Sequence, residues 1–525
     1  MSKLCKIFAL FLFSPLWIFA QISPKESSEL NYRIIGFSFP QKSQTVKYKV
    51  EIALGNYDDE ITFQKNIVTT LSANKNRLIA EVPSFGKRYT WRVTYLNDGS
   101  KGTESELHHF STIKAPEVDP DSVRMSVTSN AGQYKDHYVF VDGNKALYDM
   151  SGAPVWFFPK IDGLDPRSIH LRDLKLSPFG TITVIDDERI YETGYDGTVL
   201  WKGPGNGKIR TDTSNFENAY HHEFTRLANG HYMTMSFEQE AWPLPTQIDS
   251  ATVAISHGKI TRDNNNVYYQ KMLFGTLDEF DQQGKLVWKW SGSEYLKGSD
   301  LSKRMIRNKF FDLNDTHANA FYFDEKTKRI FISFRDLNRV IEIQYPGGKV
   351  LQTYGKLYTP GGDNRLKNGS FCGQHSARLS QDGYLYLFNN NICHMRALPT
   401  VLRLTPPAAG DDSLEKVWEF ECPMEELGQN ETTAGYFNFG GSVSELPDRS
   451  FFVCMGGSYG KLFIVNRDKK ILWSTQPEKW DNAAGKWIKD GVLIDAVKRE
   501  GSYRASIISR YELESLIWNE PLKKS

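Results

Sequence analysis

The sequence has little of several features that mark common protein classes. It contains only 5 cysteines among 525 residues, and its 64 basic and 63 acidic side chains give a formal net charge of +1. Without a basic run, the chain offers no electrostatic reason to bind nucleic acid or an anionic membrane. A glycine-rich phosphate loop of the P-loop or dinucleotide-binding type is also absent. The composition therefore favours small molecules as partners, and we expect no nucleic acid.

Long hydrophobic runs are absent after residue 20. Residues 1–20 start with Lys3 and Lys6 and continue as an apolar stretch, which is the pattern of a cleavable export signal. The stretch is too short for a comfortable membrane span, which needs about 20 apolar residues. Cleavage after Ala20 would remove two lysines and leave 62 basic against 63 acidic residues, a formal charge of −1. We therefore expect a secreted protein, in a bacterial periplasm, without a membrane span after signal removal.

Signal removal would also take away Cys5 and leave an even number of cysteines, which an oxidising compartment allows to pair. The four are Cys372, Cys393, Cys422 and Cys454. If a hairpin turn lies at residues 381–383, Cys372 lies within one residue of facing Cys393 on the neighbouring strand. We therefore predict a disulfide between these two, the alternative being two buried free thiols. For the other two cysteines the sequence indicates nothing.

Residues 21–114 differ from the rest of the chain. Stretches of alternating polar and apolar residues at 46–52 and 89–95 indicate half-buried strands. The pattern around Gly86 and Trp91, followed by a polar turn and the sequence HHFST, resembles an immunoglobulin or fibronectin type III β-sandwich. This resemblance implies a separate N-terminal sandwich domain.

An internal repeat dominates residues 115–525. One half of the repeat is a strand, a glycine turn and a tryptophan four residues after that glycine. Four copies are clear and two are weaker, at residues 148–156, 191–201, 279–288 and 464–473, and at 342–352 and 401–418. The other half is a strand and a turn that lead into an apolar strand, with five copies at residues 172–186, 222–236, 317–336, 375–390 and 441–456.

A sixth copy of this second half would form if the C-terminal residues 504–513 joined residues 138–149. Six units of roughly 70 residues each suit four-stranded blades with one long loop. We therefore predict an all-β chain in which residues 115–525 form a six-bladed β-propeller. An open β-solenoid and a seven-bladed ring are the alternatives.

The first strand of each blade lines the central channel of a propeller, so the first residue of each second-half copy is expected at an equivalent height. These positions hold Arg172, His222, His317, His375 and Gly441. Three imidazoles from different blades would therefore converge. Arg335 lies 18 residues after His317, and a hairpin would return it to the same end. His221 should point the other way along its strand, and we interpret it as structural.

Together, His222, the triplet His317-Ala-Asn319, Arg335 and His375 form an H…H-x-N…R…H arrangement across successive blades. It resembles that of the bacterial arylsulfotransferases that do not use an adenosine phosphosulfate donor, from residue 30 to the C-terminus. The resemblance implies that the propeller is a catalytic domain that moves a sulfuryl group from a phenolic sulfate ester to a phenol by a ping-pong mechanism. It implies that His375 is the nucleophile, which becomes a sulfohistidine. It also implies that His222, His317 and Arg335 surround the sulfate and phenolic oxygens, with Asn319 supporting substrate binding.

The chemistry suits these residue types. Sulfuryl transfer is comparable to phosphoryl transfer in its loose, in-line transition state, so positioning and cationic donors carry most of the catalysis. Arg335 can offer a planar fork to two sulfate oxygens, and a neutral His375 can attack as a nucleophile. Protonated His222 or His317 could neutralise the leaving phenolate, and the sequence leaves open which of them is the acid or base. We expect no cofactor.

Three other interpretations compete with this one. A non-catalytic secreted propeller would bind a ligand or a protein partner through its face, but it has no reason to keep the whole H…H-x-N…R…H set. A quinone-dependent dehydrogenase would need a metal-bound cofactor and stacking residues, and the sequence has no such constellation. Three histidines can hold zinc, yet no H-x-x-x-H pair occurs and a nearby arginine would repel the ion, so we predict no metal site. The sequence leaves a homodimer open.

Overall fold

A computed structural model describes most of the chain. The described residues are 22–43, 45–97, 102–113, 120–159, 161, 171–186, 188–205, 219–243, 260–296, 314–355, 371–392, 398–406, 414–423, 440–456, 461–489 and 502–523. The predicted signal segment, residues 1–20, lies outside these ranges. Strands dominate them and helices are few and short, so the predicted all-β class is confirmed. Within these ranges no helix is long and apolar enough to cross a membrane.

The chain divides into two compact units, one that ends at Ile113 and one that begins at Lys114. The elements of the first unit are β1 (Ser28–Leu30), β2 (Ile34–Ser38), β3 (Thr45–Leu54), α1 (Glu60–Lys65), β4 (Ile67–Ala73), β5 (Arg77–Glu81), β6 (Lys87–Asn97), β7 (Thr103–Glu104) and β8 (His108–Thr112). The larger sheet has the order β1-β8-β6-β3-β4, with β7 beside β6, and β2 pairs with β5 in a second sheet. Because side chains alternate along a strand, Ile52 and Trp91 of the larger sheet pack with Phe37 of the smaller one in a single core.

Six sheets make up the described part of the second unit. After β9 (Val123–Asn130), sheet 1 contains β10 (His137–Val141), β11 (Ala146–Asp149) and β12 (Pro154–Phe157). Sheet 2 contains β13 (Leu171–Leu176), β14 (Ile182–Asp186), β15 (Arg189–Thr193) and β16 (Val199–Lys202). Sheet 3 contains β17 (His221–Arg226), β18 (Tyr232–Pro243), β19 (Ile260–Arg262), β20 (Tyr268–Phe280), β21 (Leu286–Ser291) and β22 (Asn314–Asp315), with α2 (Gly292–Tyr295) after β21.

The remaining sheets follow in chain order. Sheet 4 contains β23 (Ala318–Asp324), β24 (Arg329–Phe334), β25 (Arg339–Gln344) and β26 (Val350–Tyr354). Sheet 5 contains β27 (His375–Leu379), β28 (Leu385–Asn389), β29 (Thr400–Leu404) and β30 (Lys416–Glu421). Sheet 6 contains β31 (Ser442–Glu445), β32 (Phe451–Cys454), β33 (Leu462–Val465), β34 (Ile471–Asp481) and β35 (Lys486–Lys489), before β36 (Ala505–Ser509) and α3 (Arg510–Trp518).

Both ends of the second unit contribute to its sheets. In sheet 1 the order is β12-β11-β10-β36, and Tyr138 of β10 faces Ile508 of β36. The predicted sixth copy, built from the two ends of the repeat region, is therefore present. The strand β9 pairs with β34 in sheet 6, where Ser126 faces Gln476. The repeat did not predict this second contact, because β9 precedes the first copy.

The tryptophans of the repeat join neighbouring sheets. Trp156 of sheet 1 donates its indole N–H to the carbonyl of Tyr195 in the β15–β16 turn of sheet 2, at 2.8 Å. Trp473 of sheet 6 donates to the carbonyl of Met150 in the β11–β12 turn of sheet 1, at 3.0 Å. Equivalent bonds join Trp288 to Pro346 of sheet 4 and Trp418 to Arg467 of sheet 6. The repeated tryptophan is thus an inter-sheet contact, and one such contact runs from the last sheet to the first.

A left-handed residue lies in the turn before each of three tryptophans, namely Trp156, Trp288 and Trp473. Gly152 and Gly284 supply it with φ of 93° and 79°. In the last copy, Lys469 takes this conformation with φ of 64°. Glycine is the residue that adopts it without a steric penalty, which explains why glycine recurs at this place in the repeat.

Candidate active site

The first strands of sheets 2, 3 and 5, which are β13, β17 and β27, are irregular near their starts. Each has a bulge against its neighbouring strand, and a residue beside that bulge has a left-handed backbone, namely Asp173, His222 or Ser376, with φ of 55°, 61° and 55°. By this landmark, His375 corresponds to His221 and not to His222. The prediction that His222 and His375 occupy one register position is therefore wrong by one residue, because a bulge adds a residue to one strand of a pair.

Two of the three predicted histidines nevertheless contact one further side chain, and the third contacts one of those two. The ring centroids of His222 and His317 lie 5.3 Å apart. Tyr503, which precedes β36, has its ring centroid 5.6 Å from that of His222 and 6.1 Å from that of His375. The guanidinium carbon of Arg172 lies 4.7 Å from the ring centre of Tyr503. Tyr503 therefore links His222 and His375 to a second arginine, and His222 in turn contacts His317.

Tyr503 is a site residue that the sequence did not indicate. Its hydroxyl oxygen is buried and has no hydrogen-bond partner among the described residues. Burial raises the pKa of this phenol. A buried polar atom that lacks a partner is rare, and one beside a set of histidines and arginines indicates a place where a ligand atom can bind. Tyr503 carried no signal in the sequence because it reaches the site on the strand from the far end of the chain.

Arg335 lies at the end of the β23–β24 hairpin, beside His317. Its backbone N–H donates to the carbonyl of His317 at 2.9 Å. In the described part of the chain, its Nε is buried without a partner, and its Nη1 lies 3.7 Å from Oδ1 of Asp336. Burial is the largest cause that lowers the pKa values of His317 and His375, and the positive charge of Arg335 is the second largest. The charge of the guanidinium therefore acts on both imidazoles, and its contact with the carboxylate of Asp336 is a long one.

The hydrogen bonds of His375 determine its tautomer. Its Nδ1 lies 2.7 Å from Oδ1 of Asn390 and 3.2 Å from the carbonyl of Gly373. Asn390 donates from Nδ2 to the carbonyl of Gly440, which fixes the amide so that its oxygen faces the imidazole. Since both neighbours of Nδ1 are acceptors, the hydrogen is on Nδ1 and the lone pair is on Nε2. Burial lowers the pKa of His375 well below its ordinary value, so the ring is neutral.

Asn319 is fully buried and orients the backbone that precedes the nucleophile candidate. It donates from Nδ2 to the backbone carbonyl of Gln374 at 2.7 Å, and its backbone carbonyl accepts from Nη2 of Arg504 at 2.7 Å. Its Oδ1 is buried without a partner within the described ranges. The resemblance implies that Asn319 supports substrate binding, whereas its observed contacts hold the segment that carries His375.

A buried ionic network supports the inner strands. Arg504 lies 3.0 Å from Asp173 and 3.3 Å from Glu223, and Arg378 lies 2.8 Å from Glu223. Burial would raise the pKa of Glu223, but the charges of Lys175, Arg504 and Arg378 outweigh it and lower the pKa to about 2. Buried charges are tolerated when they are paired in this way. The network joins β13, β17 and β27 to the segment before β36, and these are four of the segments that carry the site.

The interpretation of His221 as a residue that points away from His222 is wrong. The two Nδ1 atoms lie 2.5 Å apart, and the rings meet at 88°. Strand alternation fails here because the left-handed φ of His222 turns the backbone at that residue. Histidines outside the predicted site contact other groups, since His109 lies 3.0 Å from Glu26 and His231 lies 2.7 Å from Glu279.

The predicted disulfide remains a prediction. Cys372 is buried, and its N–H donates to Oδ1 of Asn389 at 2.8 Å. Cys393 lies outside the described residues. Cys422 and Cys454, on which the sequence was silent, are buried and free, and burial raises the pKa of Cys454 to about 12. Across the described ranges, no group of three histidine, cysteine or carboxylate side chains is arranged to hold a metal ion.

A family model of arylsulfotransferases (ASST) matches residues 123–404, more than half of the chain. The chain belongs to the arylsulfotransferase family. The predicted family is thereby confirmed, and it implies a sulfotransferase whose substrates are small phenolic molecules. The matched segment contains all five predicted site residues, and Tyr503 lies beyond its end. No protein of curated function matches the chain.

Solved structures show only a distant likeness. A protein of unknown function from Bacteroides caccae is 13% identical, with 64% of this chain and 92% of that chain covered and a TM-score of 0.36. An auxiliary nutrient binding protein from Bacteroides thetaiotaomicron is 10% identical, with 87% and 97% covered and a TM-score of 0.31. Scores this low support no conclusion about the activity of this chain.

Proposed function

We propose that this protein transfers a sulfuryl group from a phenolic sulfate ester to another phenol by a ping-pong mechanism, through a sulfohistidine at His375. The observation that carries the proposal is the tautomer of His375. With Nδ1 donating to Asn390, the lone pair of a neutral imidazole is available at Nε2. A neutral imidazole is a competent nucleophile near neutral pH, and a covalent intermediate divides one transfer into two easier steps.

The cationic groups of the site suit the donor. Arg335 and Arg172 lie beside the histidines and Tyr503, and Arg335 has a buried Nε that lacks a partner among described residues. A planar guanidinium binds two oxygens of a tetrahedral anion at once. The buried hydroxyl of Tyr503 offers one further hydrogen bond. These donors stabilise the charge that develops on the peripheral and phenolic oxygens.

The proposed reaction has two balanced steps. In the first, Nε2 of His375 bonds to sulfur while the bond from sulfur to the aryl oxygen breaks, and the phenolate leaves. In the second, the oxygen of the acceptor phenol bonds to sulfur, the bond from nitrogen to sulfur breaks, and the phenolic proton passes to a base. His222 and His317 are the candidates for that base. Burial lowers the pKa values of both, so each ring is neutral in the empty site.

The proposal extends to the fold and the location. The six sheets of the second unit are the blades of a closed propeller, and the first unit is an immunoglobulin-like sandwich. The pairing of β36 with β10 and the bond from Trp473 to Met150 support closure, because each connects the end of the ring to its start. The export-signal pattern of residues 1–20 supports secretion to a periplasm.

The test is a burst experiment with an aryl sulfate that releases a coloured phenol. Without an acceptor, the wild type should release one phenol per molecule and gain one sulfuryl group, mapped by peptide mass to His375. The variant His375→Asn should do neither. His231→Asn is the matched control, since His231 bonds to Glu279 and does not belong to the site. If several donors gave neither adduct nor release, the result would instead favour a propeller that binds a ligand or a protein partner.

A further inference from the structure

Two adjacent histidines on β17 share one hydrogen. Neighbouring side chains on a strand normally point to opposite faces, but the left-handed backbone of His222 brings its ring to that of His221. The two Nδ1 atoms are 2.5 Å apart, and both side chains are buried. At this distance one nitrogen must donate a hydrogen and the other must accept it. The other contacts of His221 show which of the two nitrogens is the donor.

The other ring nitrogen of His221 is a donor. Its Nε2 lies 3.1 Å from the carbonyl oxygen of Ser236, and a carbonyl can only accept. The ring also stacks on Phe237, with centroids 3.8 Å apart, which holds it in this orientation. Burial lowers the pKa of His221 to about 3, so the ring is neutral and carries one hydrogen, on Nε2. Its Nδ1 is therefore the acceptor.

The tautomer of His222 follows directly. Its Nδ1 must carry the hydrogen that His221 accepts, which leaves the lone pair of His222 on Nε2. The ring of His222 faces His317 and Tyr503, so its free nitrogen belongs to the side of the cluster where the proposed chemistry takes place.

We infer that His221 is a positioning residue that fixes the tautomer of His222 and thereby makes Nε2 of His222 the base that takes the phenolic proton. This inference rests on the proposed function. In the second step the acceptor O–H bond breaks, the oxygen bonds to sulfur, the bond between sulfur and His375 breaks, and the proton bonds to Nε2 of His222. The resulting imidazolium still donates from Nδ1 to neutral His221, and a hydrogen bond from a charged donor is stronger than a neutral one.

The alternative base, His317, has different surroundings. Its backbone carbonyl accepts a hydrogen bond from the backbone N–H of Arg335. Burial lowers the pKa of His317 most, and the charge of Arg335 lowers it further. The ring of His317 also lies near a carboxylate, with Nδ1 3.8 Å from Oδ2 of Asp336. Burial and the charges of two other arginines lower the pKa of His222 as well, so nearby charge does not distinguish the two rings. The hydrogen bond to Nδ1 of His221 does, because it leaves Nε2 of His222 free and stabilises the charge that a proton brings there.

The experiment separates the two steps in single-turnover measurements with His221→Phe and His221→Asn. Phenylalanine removes the acceptor at Nδ1, whereas the asparagine oxygen can occupy a similar place. For His221→Phe we expect transfer from the sulfated enzyme to a weakly acidic phenol to slow by about 100-fold, the scale of general base catalysis, while formation of the sulfated enzyme changes little. Phenols that are already ionised at the assay pH should restore most of the rate. His221→Asn should stay nearer to wild type, and His231→Phe is the control for loss of an unrelated histidine.

Three outcomes would overturn the inference. They are an equal slowing of both steps, an equal effect of the asparagine and phenylalanine variants, and a loss that does not depend on the acidity of the acceptor. If His221→Phe fails to fold, nitrogen NMR of the wild-type imidazoles decides, because a hydrogen on Nε2 of His222 contradicts the scheme. Failure of the proposed function looks different, since the wild type would then show no sulfated His375 at all.

Discussion

His375 donates the hydrogen on its Nδ1 to Oδ1 of Asn390 across 2.7 Å. The variant Asn390→Leu removes that acceptor and allows the hydrogen to move to Nε2, where it blocks the lone pair. We expect formation of the sulfated enzyme to slow on the order of 100-fold, because a wrong tautomer disables an imidazole. Burst kinetics with a chromogenic aryl sulfate measure this step.

The variant Asn390→Asp is the matched comparison, since it keeps an acceptor. A carboxylate beside the ring favours the imidazolium, so the pKa of His375 should rise and the burst rate should require a higher pH than in the wild type. A burst rate in Asn390→Leu equal to that of the wild type would contradict the role of this hydrogen bond.

Arg335 should be sensitive to a change that keeps its charge. Arg335→Lys retains a cation but loses the planar fork, so we expect kcat/KM for aryl sulfates to fall by at least about tenfold. Arg329→Lys is the control, because Arg329 begins β24, the strand that Arg335 follows, and pairs with Glu342. Equal effects of the two substitutions would show that the loss comes from the strand and not from the site.

Tyr503 can be tested by removal of one oxygen atom. The hydroxyl is buried without a partner in the described part of the chain, so Tyr503→Phe should not lower the melting temperature. If the hydroxyl binds an oxygen of the substrate, kcat/KM should fall by about tenfold, the value of one hydrogen bond. Tyr511→Phe, at an exposed site on α3, is the control. A lower melting temperature with an unchanged kcat/KM would show that the hydroxyl stabilises the fold and does not bind the substrate.

The buried histidines should make stability depend on pH. Burial depresses the folded-state pKa of His375 below the ordinary 6.5. Its contribution to the free energy of unfolding is therefore fully present above pH 6.5 and is lost as the pH falls. At pH 5.5 the loss is about 1 kcal/mol for one such histidine. Denaturant unfolding of the wild type and His375→Asn at pH 7.5 and 5.5 should therefore show a pH dependence that is weaker in the variant by about this amount. Parallel behaviour of the two proteins would disagree with a buried, neutral His375.

The cysteines predict a defined pattern of labelling. A disulfide between Cys372 and Cys393 should appear as a linked peptide pair when the exported protein is digested without reductant. Cys422 and Cys454 are buried free thiols whose pKa values burial raises, so both should react with an alkylating reagent only after unfolding. A linked pair that contains Cys422 or Cys454 would contradict the described thiols.

The sequence alone indicated most of the fold and the first members of the site. Strand alternation and the glycine turn before each tryptophan are local patterns, because a left-handed turn and a half-buried strand restrict the residue type at each position. The same repeat indicated that His222, His317 and His375 lie at the starts of neighbouring sheets, although it misplaced His375 relative to His222 by one residue, and the hairpin after His317 predicted where Arg335 lies. These inferences needed only short separations along the chain and a periodic unit.

Tertiary structure decided the rest. The repeat predicted that the C-terminal strand β36 joins β10, but not that Tyr503 and Arg504, which precede β36, would lie beside the histidines and Asn319. The left-handed backbone at His222 turned His221 into its hydrogen-bond partner, against the alternation that an ordinary strand would impose. The tautomer of His375 likewise depends on Asn390, whose amide is oriented by Gly440 in the next sheet. The nitrogen that carries the proton is determined by the hydrogen-bond acceptors around the ring, and a sequence pattern does not indicate where those acceptors lie.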